Sequence, residues 1–363
     1  TTPPDVYYSS EWENAFAGTN NTYLKVYVPA GSSALYMAKQ GWNQFSVCEY
    51  SADAVIGQKL DHISISLSEA GTFDKTLHYT YPDQEFNIKS LKISGPINGT
   101  DISFIRGLSS VGKVATLDLS DAQIKAGGSA YYYNYVCNYG TKDDEITKFM
   151  FNSCYNLRKL TLPATVAAID VPGTFPDSLS TIVVPAANTH YHDHAGALYS
   201  TADATLRFCP VNREPGTLSV EEGTIAIADS ALYSNNSVTA IELPKSLRSI
   251  GVDAFHFCDS LKAVTIPEGV TDIADYAFYY AGINQLSLPS TLKNLGMYTF
   301  TCPKLETVSC KATTPPSVSM LTYSESFYNV DKQKCILVVP TESINAYKFA
   351  PGWRDFANIT DSS

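Results

Sequence analysis

Apolar positions in the second half of the chain recur with a fixed period. Each unit between residues 241 and 310 begins with an apolar-x-apolar-Pro stretch, continues through an apolar residue that in two units precedes glycine, and then reaches a phenylalanine. The prolines and the phenylalanines show the same separations, 23 and 22 residues. These markers are Pro244, Pro267 and Pro289, and Phe255, Phe278 and Phe300. Two independent markers that share one period predict an array of stacked repeats.

The apolar-x-apolar-Pro stretch predicts a short β-strand in every repeat. Its first and third side chains point inward and its middle side chain points outward. Proline ends the strand because it has no N–H to donate to a ladder. A unit of this length cannot bury its apolar face alone, so the units must stack. Ten apolar-x-apolar motifs between residue 91 and residue 339, six of them followed by proline, predict a strand-rich solenoid with a parallel β-ladder of about ten short strands.

The most complete repeat resembles a known family. Residues 243–261 read Leu-Pro-Lys-Ser-Leu-Arg-Ser-Ile-Gly-Val-Asp-Ala-Phe-His-Phe-Cys-Asp-Ser-Leu, which is similar to the repeat of the BspA-like leucine-rich repeat surface proteins. The resemblance implies an α/β leucine-rich-repeat solenoid, strand-rich with short helices and irregular returns. It also implies an exported protein at the cell surface, adhesin-like in function, and it is compatible with a lipid anchor on a removed N-terminal segment.

A second duplication links the two ends of the chain. At a constant offset of 311 residues, identical residues align in pairs, and each copy reads as a strand, a serine, about two helical turns and a glycine before tryptophan. The pairs are Phe16/Phe327, Val28/Val339, Pro29/Pro340, Ser32/Ser343, Tyr36/Tyr347, Gly41/Gly352, Trp42/Trp353 and Phe45/Phe356. We interpret both copies as capping modules, because an open ladder leaves a strand edge that must be covered.

These patterns divide the chain into four predicted segments. Residues 1–58 form a cap-like strand–helix module, and residues 59–145 form irregular repeats with a tyrosine-rich insertion. Residues 146–312 form the regular repeats, and residues 313–363 form the C-terminal cap. The N-terminal module reads like the end of an earlier array, so two interpretations stay open: the module is reused to seal an edge, or the protein contains a second array.

Composition narrows the function classes. The 363 residues have a formal net charge of −11 and only 17% charged residues, which argues against binding to nucleic acid or to anionic membranes, because both need a basic surface. The chain opens Thr1-Thr2-Pro3-Pro4 without the features of a signal peptide, so we expect any such peptide to have been removed. It contains no nucleophile elbow, zinc-protease motif, P-loop or dinucleotide fingerprint. We therefore predict no enzymatic activity and no cofactor.

The eight cysteines suit disulfide bonds in an exported protein, but the repeat argues otherwise. Cys154, Cys258 and Cys302 occupy the same slot in different repeats, and Cys258 and Cys302 lie two repeats apart. Strand spacing then separates their backbones by roughly 10 Å, beyond the reach of a disulfide. We predict that these three are buried free thiols. Cys310 and Cys335 occupy strand slots, and their pairing across the cap stays open.

Two sets of residues are candidates for a binding surface. The first is a tyrosine-rich patch in the insertion, because tyrosine offers a large rigid contact area with a polar tip. The second lies on the outward face of the ladder, where hydroxyl side chains favour binding by shape and hydrogen bonds. The candidates are Tyr131, Tyr132, Tyr133 and Tyr135 in the insertion, and Glu242, Thr265 and Ser287 on the ladder. Tyr276, Tyr279 and Tyr280 form a further patch for which core packing is the favoured interpretation.

A histidine cluster is a remote candidate for a metal site. Alternation along an extended strand would place His190, His192 and His194 on one face, where three imidazoles suit zinc or copper. The favoured interpretation is a polar loop in which nothing fixes the three rings together, so no metal is predicted.

The resulting hypothesis is a non-enzymatic binding module for a host or bacterial protein, or a glycan, at a cell surface. The alternative is a structural spacer within a larger surface protein. A glycan-processing enzyme is the remaining possibility and would need two acidic side chains facing each other at about 5–10 Å. A binder should show one contiguous exposed patch, whereas a spacer should show no aromatic cluster on its surface. The oligomeric state stays open.

Overall fold

A computed structural model describes residues 25–39, 41–56, 58–82, 84–133, 136–319 and 325–361. Phe16 and Tyr135, named above, therefore lie outside the described residues. The chain divides into two compact units, Thr1–Asp143 and Asp144–Ser363. Each unit is described by itself.

Among its described residues, the first unit combines small parallel sheets with three helices. Strands β1 and β2 pair in parallel, β3, β4 and β5 form a parallel sheet with β6 paired to the end of β4, and β7 and β8 form an antiparallel hairpin. The elements are β1 Lys25–Pro29, α1 Ser33–Ala38, β2 Ser46–Tyr50, β3 His62–Ser66, α2 Phe73–Thr80, β4 Ser90–Ile97, α3 Gly99–Ser110, β5 Thr116–Asp118, β6 Ala122–Ile124, β7 Gly127–Tyr133 and β8 Asn138–Thr141.

One buried carboxylate organises two helix starts in this unit. The Asn98 side chain accepts a hydrogen bond from the Thr100 N–H, and Asp101 Oδ2 accepts one from the Asn98 N–H at 2.8 Å. Asp101 also accepts the backbone N–H groups of Gly71 and Phe73 at the start of α2. These N–H groups have no partner inside a helix, so Asp101, which is 1% exposed, joins the N-termini of α2 and α3.

The second unit contains the regular repeats. Its strands are short, and its one α-helix lies near the C-terminus of the described chain. The elements are β9 Glu145–Ile146, β10 Lys159–Thr161, β11 Ala168–Ile169, β12 Thr181–Val183, β13 Tyr191–His194, β14 Ala197–Ser200, β15 Thr205–Phe208, β16 Gly216–Ser219, β17 Ala226–Ile227, β18 Val238–Glu242, β19 Ser249–Ile250, β20 Ala263–Thr265, β21 Asp272–Ile273, β22 Gln285–Leu288, β23 Asn294–Leu295, β24 Thr307–Cys310, β25 Ser317–Val318, β26 Ile336–Val339, a 3₁₀ turn Thr341–Ser343, α4 Ile344–Phe349 and β27 Asn358–Asp361.

The predicted parallel ladder is present in this unit. Strands β20, β22, β24, β26 and β27 pair in that order, with Val264, Leu286, Val308 and Leu337 in one buried row. Two further parallel pairs, β10–β12 and β16–β18, belong to the same series of strands. The structure differs from the prediction of one continuous ladder. Among the described residues, the pairs β10–β12 and β16–β18 and the five-stranded group belong to separate hydrogen-bonded sheets. The hairpin β13–β14 follows β12, and Ile182 donates its N–H to Gly196 at 3.0 Å.

A second parallel ladder is formed by the segment around the apolar residue that lies between the strand motif and the phenylalanine of each repeat. The sequence pattern does not predict a strand there. Strands β15, β17, β19, β21, β23 and β25 pair successively, and each of the last five has only two residues. Its buried apolar row consists of Leu206, Ile227, Ile250, Ile273 and Leu295. A two-residue strand is too short to show alternation, which is why the sequence pattern did not reveal this ladder.

Stacked phenylalanine rings fill the core of the regular repeats. Phe255, Phe278, Phe300 and Phe327 follow one another with ring centroids 4.7, 5.2 and 5.7 Å apart and interplanar angles of at most 21°. We call these four residues the phenylalanine column. Trp353 closes its end, with its ring 5.2 Å from Phe327 at 65°. All five rings are buried, so the column is the main apolar filling of these repeats.

The cysteine predictions for the repeat slots are confirmed. Cys154, Cys258 and Cys302 are fully buried and form no disulfide bond. The thiols of Cys258 and Cys302 contact the carbonyl oxygens of Leu232 and Phe278. Burial raises the pKa of Cys258 to about 12, so this thiol is inert. The open question of a Cys310–Cys335 disulfide is answered as well: both thiols are free and buried.

Candidate functional site

The tyrosine-rich insertion forms hairpin β7–β8 in the first unit. Tyr131 is buried, and the Arg106 guanidinium lies 5.7 Å from its ring centroid and 5.8 Å from that of Tyr132. Tyr132 also packs against Tyr139, with ring centroids 5.9 Å apart. Tyr133 is 66% exposed. The structure therefore places Tyr131 and Tyr132 against neighbouring side chains and leaves Tyr133 as the exposed tyrosine of the described part of this patch.

The outward ladder residues lie where the alternation predicts. Thr265 and Ser287 are paired in register on β20 and β22, and Ser309 on β24 continues the row. Glu242 on β18 is exposed and accepts a hydrogen bond from the Ser219 hydroxyl of β16. The row of hydroxyl side chains and Glu242 therefore lie on different hydrogen-bonded pieces of the ladder.

The histidine cluster lies on hairpin β13–β14. His192 Nε2 lies 2.5 Å from a Glu221 carboxylate oxygen. Its ring stacks on Tyr199 at 5.4 Å, and His194 contacts the same tyrosine edge-on at 6.2 Å. Within the described residues, no group of three or more His, Cys, Asp or Glu side chains is arranged to hold a metal ion. The geometry shows a hydrogen-bond contact between histidine and glutamate above a buried tyrosine.

A row of aromatic side chains runs along the turns that follow the second ladder. It crosses five successive turns, residues 229–234, 252–257, 275–280, 297–301 and 325–329. We call this row the aromatic face; its members are Tyr233, His256, Phe257, Tyr276, Tyr279, Tyr280, Tyr298 and Tyr328. All eight are partly or well exposed, whereas the phenylalanine column beside them is buried.

Ring contacts connect the aromatic face from one turn to the next. The His256 ring lies 4.9 Å from Tyr233 and 4.7 Å from Tyr279. Tyr276 stacks on Tyr298 at 5.1 Å and 22°, and Tyr298 meets Tyr328 edge-on at 5.3 Å. The face is therefore one contiguous cluster across the repeats.

The turn geometry turns bulky residues outward at a conformational cost. Phe257, Tyr276, Tyr280 and Tyr298 have φ between 52° and 58°, a left-handed conformation that is uncommon for large side chains and costs roughly 1 kcal/mol or more each. The slot of Phe257 and Tyr280 holds Ser234 in the turn before and Asn329 in the last turn, with φ of 55° and 59°. The fold thus accepts small polar residues at this slot.

Two phenol hydroxyls of the aromatic face have a raised pKa. Partial burial, and then the neighbouring phenols, raise the pKa of Tyr279, and partial burial raises that of Tyr298. At neutral pH these phenols are therefore neutral groups that both donate and accept hydrogen bonds.

Next to Tyr233 the aromatic face borders a cleft of about 440 Å³. Its wall is largely apolar, and the rings of Phe175 and Phe208 meet there at 4.9 Å. The Lys148 ammonium lies 5.4 Å above the Phe149 ring. The charged side chains that line the cleft are Lys148, Asp177, Arg207 and Asp229. This volume falls within the range of small-ligand or side-chain pockets.

The sequence pattern predicts only part of the aromatic face. It groups Tyr276, Tyr279 and Tyr280 and favours core packing for them, and it does not connect them with the remaining members of the face. The signal was available: an aromatic residue follows the core slot at Tyr233, His256, Tyr279 and Tyr328. Only the turn conformation shows that this position points away from the core.

The chain belongs to a repeat family. The model of the BspA-type leucine-rich repeat region matches six copies, at residues 108–197 and 225–351, which is more than half of the chain. The resemblance seen in residues 243–261 is therefore confirmed. No curated protein matches closely enough to count as a relative.

One of three similar crystal structures reaches a TM-score above 0.5. The pneumococcal vaccine antigen PcpA matches with a TM-score of 0.51 at 18% identity, over 88% of this chain and 76% of that one. A leucine-rich repeat protein from Eubacterium ventriosum matches with a TM-score of 0.37 at 15% identity, over 84% of this chain and 81% of that one. A leucine-rich cell surface protein from Faecalibacterium prausnitzii has a TM-score of 0.36 at 15% identity, over 85% and 95%. The first match identifies the leucine-rich-repeat fold.

No helix among the described residues is both long enough and apolar enough to cross a membrane.

Proposed function

We propose that the chain is a non-enzymatic binding module that engages a protein partner through the aromatic face. The observation that carries the proposal is the contiguous, partly exposed aromatic cluster across five turns. Tyrosine-rich surfaces suit recognition because each ring gives a large contact area at a small entropic cost. An inert spacer has no use for such a surface.

The cost of the turn conformations supports this function. Phe257 and Tyr280 occupy left-handed positions where the same fold also accepts serine or asparagine. A bulky residue at such a position is disfavoured by local sterics, and it adds nothing to the buried phenylalanine column. Binding gives a physical reason for aromatic side chains there.

The stacking pattern favours a protein over a glycan. Tyr276 lies between His256, at 6.5 Å and 12°, and Tyr298, at 5.1 Å and 22°. Both faces of the Tyr276 ring are therefore turned towards other rings, whereas a sugar ring packs against an exposed ring face. Phenol hydroxyls and ring edges suit the mixed polar and apolar surface of a protein. The cleft beside Tyr233 would accept an apolar side chain of the partner as an anchor.

A direct test compares two double variants on an array of extracellular proteins and glycans. We expect Tyr279→Ser with Tyr280→Ser to lose at least about tenfold in affinity for the captured protein, because hot-spot tyrosines each contribute more than about 1 kcal/mol. The matched control is Tyr79→Ser with Tyr155→Ser, two tyrosines that are 44% and 66% exposed elsewhere. Equal affinities for the two double variants would reject the aromatic face as the site.

The same array separates the remaining candidates. Loss of binding on Tyr133→Ser would assign the site to the hairpin β7–β8, and loss on Thr265→Val with Ser287→Val would assign it to the outward ladder face. Capture of glycans alone would reject a protein partner. No capture of any kind would favour the structural spacer.

We also propose that the protein is exported and displayed at the cell surface. The family membership and the likeness to bacterial repeat proteins support this location. Antibody labelling of intact producing cells, before and after permeabilisation, tests it: staining that requires permeabilisation would reject surface display.

A further inference from the structure

We propose that the partner presents arginine side chains to the aromatic face. This inference rests on the proposed function and adds the chemistry of the partner. It is carried by the distribution of charge along the five turns and by the way in which their carboxylates are held.

The charge on the five turns has one sign. They contain four carboxylates and no lysine or arginine. The carboxylates are Asp229, Asp253, Asp275 and Glu325. His256 is the one titratable nitrogen base in these turns, and it contacts Asp253 at 2.5 Å. Glu325 pairs with Lys332, which lies outside the turns, at 2.8 Å. Of the four carboxylates in these turns, Asp229 and Asp275 are therefore the two that form no ion pair with another described residue.

Asp229 and Asp275 are held in fixed positions. Asp229 Oδ1 accepts the Val252 N–H at 2.8 Å, and Asp275 Oδ1 accepts the Met297 N–H at 2.7 Å. Each carboxylate thus accepts a hydrogen bond from the backbone of the next repeat. The two carboxylates lie two repeats apart, each within one of the five turns. A preorganised carboxylate loses little conformational freedom when it binds a cation.

The surroundings of these carboxylates suit arginine. A guanidinium group forms two parallel hydrogen bonds with a carboxylate, whereas an ammonium group acts as a point charge. The methylene stem of arginine packs along apolar surface while its charged head stays in contact with polar groups. Tyr279 and the exposed Tyr280 belong to the same turn as Asp275, so aromatic surface for the stem and a carboxylate for the head are both present in this turn.

The other end of the surface differs in charge. The cleft beside Tyr233 is lined by Lys148 and Arg207 as well as Asp177 and Asp229, so both signs are present there. Attraction of a basic partner is therefore expected to be stronger at Asp275 than at Asp229, which lines the cleft. The apolar anchor and the arginine contacts would occupy neighbouring parts of one binding surface.

The test uses fluorescent, N-acetylated and C-amidated hexapeptides of arginine, lysine or glutamate, with anisotropy at low salt as the readout. We expect the arginine peptide to bind at least about threefold tighter than the lysine peptide, and the glutamate peptide not to bind. Asp229→Asn with Asp275→Asn removes two charges. It keeps one side-chain oxygen at each position that can accept the backbone N–H. We expect this double variant to weaken arginine-peptide binding about three- to tenfold, as for exposed charge pairs.

The control must change the net charge equally. Asp118→Asn with Asp143→Asn removes two charges from the first unit, where each aspartate also accepts a backbone N–H, from Ser120 and Ala126. We expect less than about a twofold loss for this pair. If the double variant in the turns unfolds, Asp275→Asn alone is compared with Asp143→Asn.

Several outcomes would overturn the inference. Equal losses in the two double variants would show general attraction to a chain of net charge −11. Equal affinities for arginine and lysine peptides would remove the guanidinium preference. If the arginine peptide does not bind while array capture still depends on Tyr279 and Tyr280, this inference fails and the binding module stands. If array capture is insensitive to those tyrosines, the proposed function fails, whatever the peptide result.

Discussion

The two ends of the described chain contain the same module in two different surroundings. Strands β1 and β26 each continue into a short helix and return as a strand that pairs in parallel with the first, β2 and β27 respectively. The helix tyrosine meets the tryptophan edge-on in both copies: Tyr36 and Trp42 at 5.3 Å and 83°, Tyr347 and Trp353 at 5.2 Å and 84°. The duplication in sequence is a duplication in structure.

A glycine with positive φ follows the helix in both copies, two residues after the C-cap. Gly41 and Gly352 have φ of 90° and 78°, a region that L side chains rarely adopt. This requirement explains why glycine stands before the tryptophan in each module. Local sequence therefore suffices to build the module.

Burial separates the two copies. Trp353 is fully buried and donates its indole N–H to the Pro316 carbonyl at 2.8 Å, and Tyr347 donates its hydroxyl to the Ala312 carbonyl. Trp42 and Tyr36 are half-buried. The second copy packs on the end of the phenylalanine column. The same module is thus a core element in one place and a surface element in the other, because its neighbours decide how much of it is covered.

The largest predicted effect comes from removing the tryptophan that covers the end of the phenylalanine column. Trp353→Ala should lower the free energy of unfolding of the second unit by about 3–5 kcal/mol, because it removes a fully buried ring and leaves a cavity. Urea unfolding, with hydrogen exchange of β26 and β27 as the local probe, measures it. The matched change Trp42→Ala should cost less than half as much. Equal costs would show that the two modules bury their tryptophans alike in solution.

The second prediction concerns His78, which lies beside the N-terminal module. Its nitrogens contact Asp74 at 2.7 Å and Glu85 at 2.9 Å, and its ring stacks on Tyr27 of β1. Burial opposes protonation, but hydrogen bonds to the two carboxylates outweigh it and raise the pKa of His78 from 6.5 to about 9. The imidazolium is therefore the form that the fold stabilises.

The sign of the pH effect follows from that shift. Stabilisation by His78 should be complete below pH 6.5 and should be lost as the pH rises through about 9, by about 3 kcal/mol at most. Urea unfolding of the first unit between pH 6 and pH 10 measures it, and His78→Gln should flatten the profile in this window. A profile that is equally steep in His78→Gln would assign the effect to other groups.

The smallest effect is predicted for a substitution that makes the first module more like the second. Met37, which is 48% exposed, corresponds to Lys348 at the offset of 311. Met37→Lys should change the unfolding free energy by no more than about 0.5 kcal/mol, as for other exposed positions. Thermal unfolding checks it. A loss above about 1 kcal/mol would show that the surface around α1 is covered in solution.

Particular residues show how far the sequence reached. The strand motifs at Ile241, Val264 and Leu286 were predictable because alternation with a terminal proline repeats three times, and the cysteine slots followed from the same period. The ladder of two-residue strands was missed because no alternation fits into Ser249–Ile250. The extra strand β27 and the hairpin β13–β14 pair with segments close to them in sequence, but neither contains the apolar-x-apolar-Pro motif.

The candidate site divides in the same way. Tyr276, Tyr279 and Tyr280 were visible as a cluster, but the sequence favoured packing because it placed them next to the core residue Phe278. Their partial exposure follows from left-handed turns at Tyr276 and Tyr280, and their contacts with His256 and Tyr298 follow from stacking of successive repeats. The cleft beside Tyr233 collects residues from 148 to 233, and no spacing rule joins them.

The sequence by itself determined the repeat, its family, the inward side chains of the strands and the duplicated terminal module, because each depends on interactions within about twenty residues or on their exact repetition. The tertiary structure alone decided which module is buried, which aromatic rings face outward and where carboxylates meet tyrosines. Those features depend on how neighbouring repeats lie against each other, and a periodic pattern specifies that stacking only in outline.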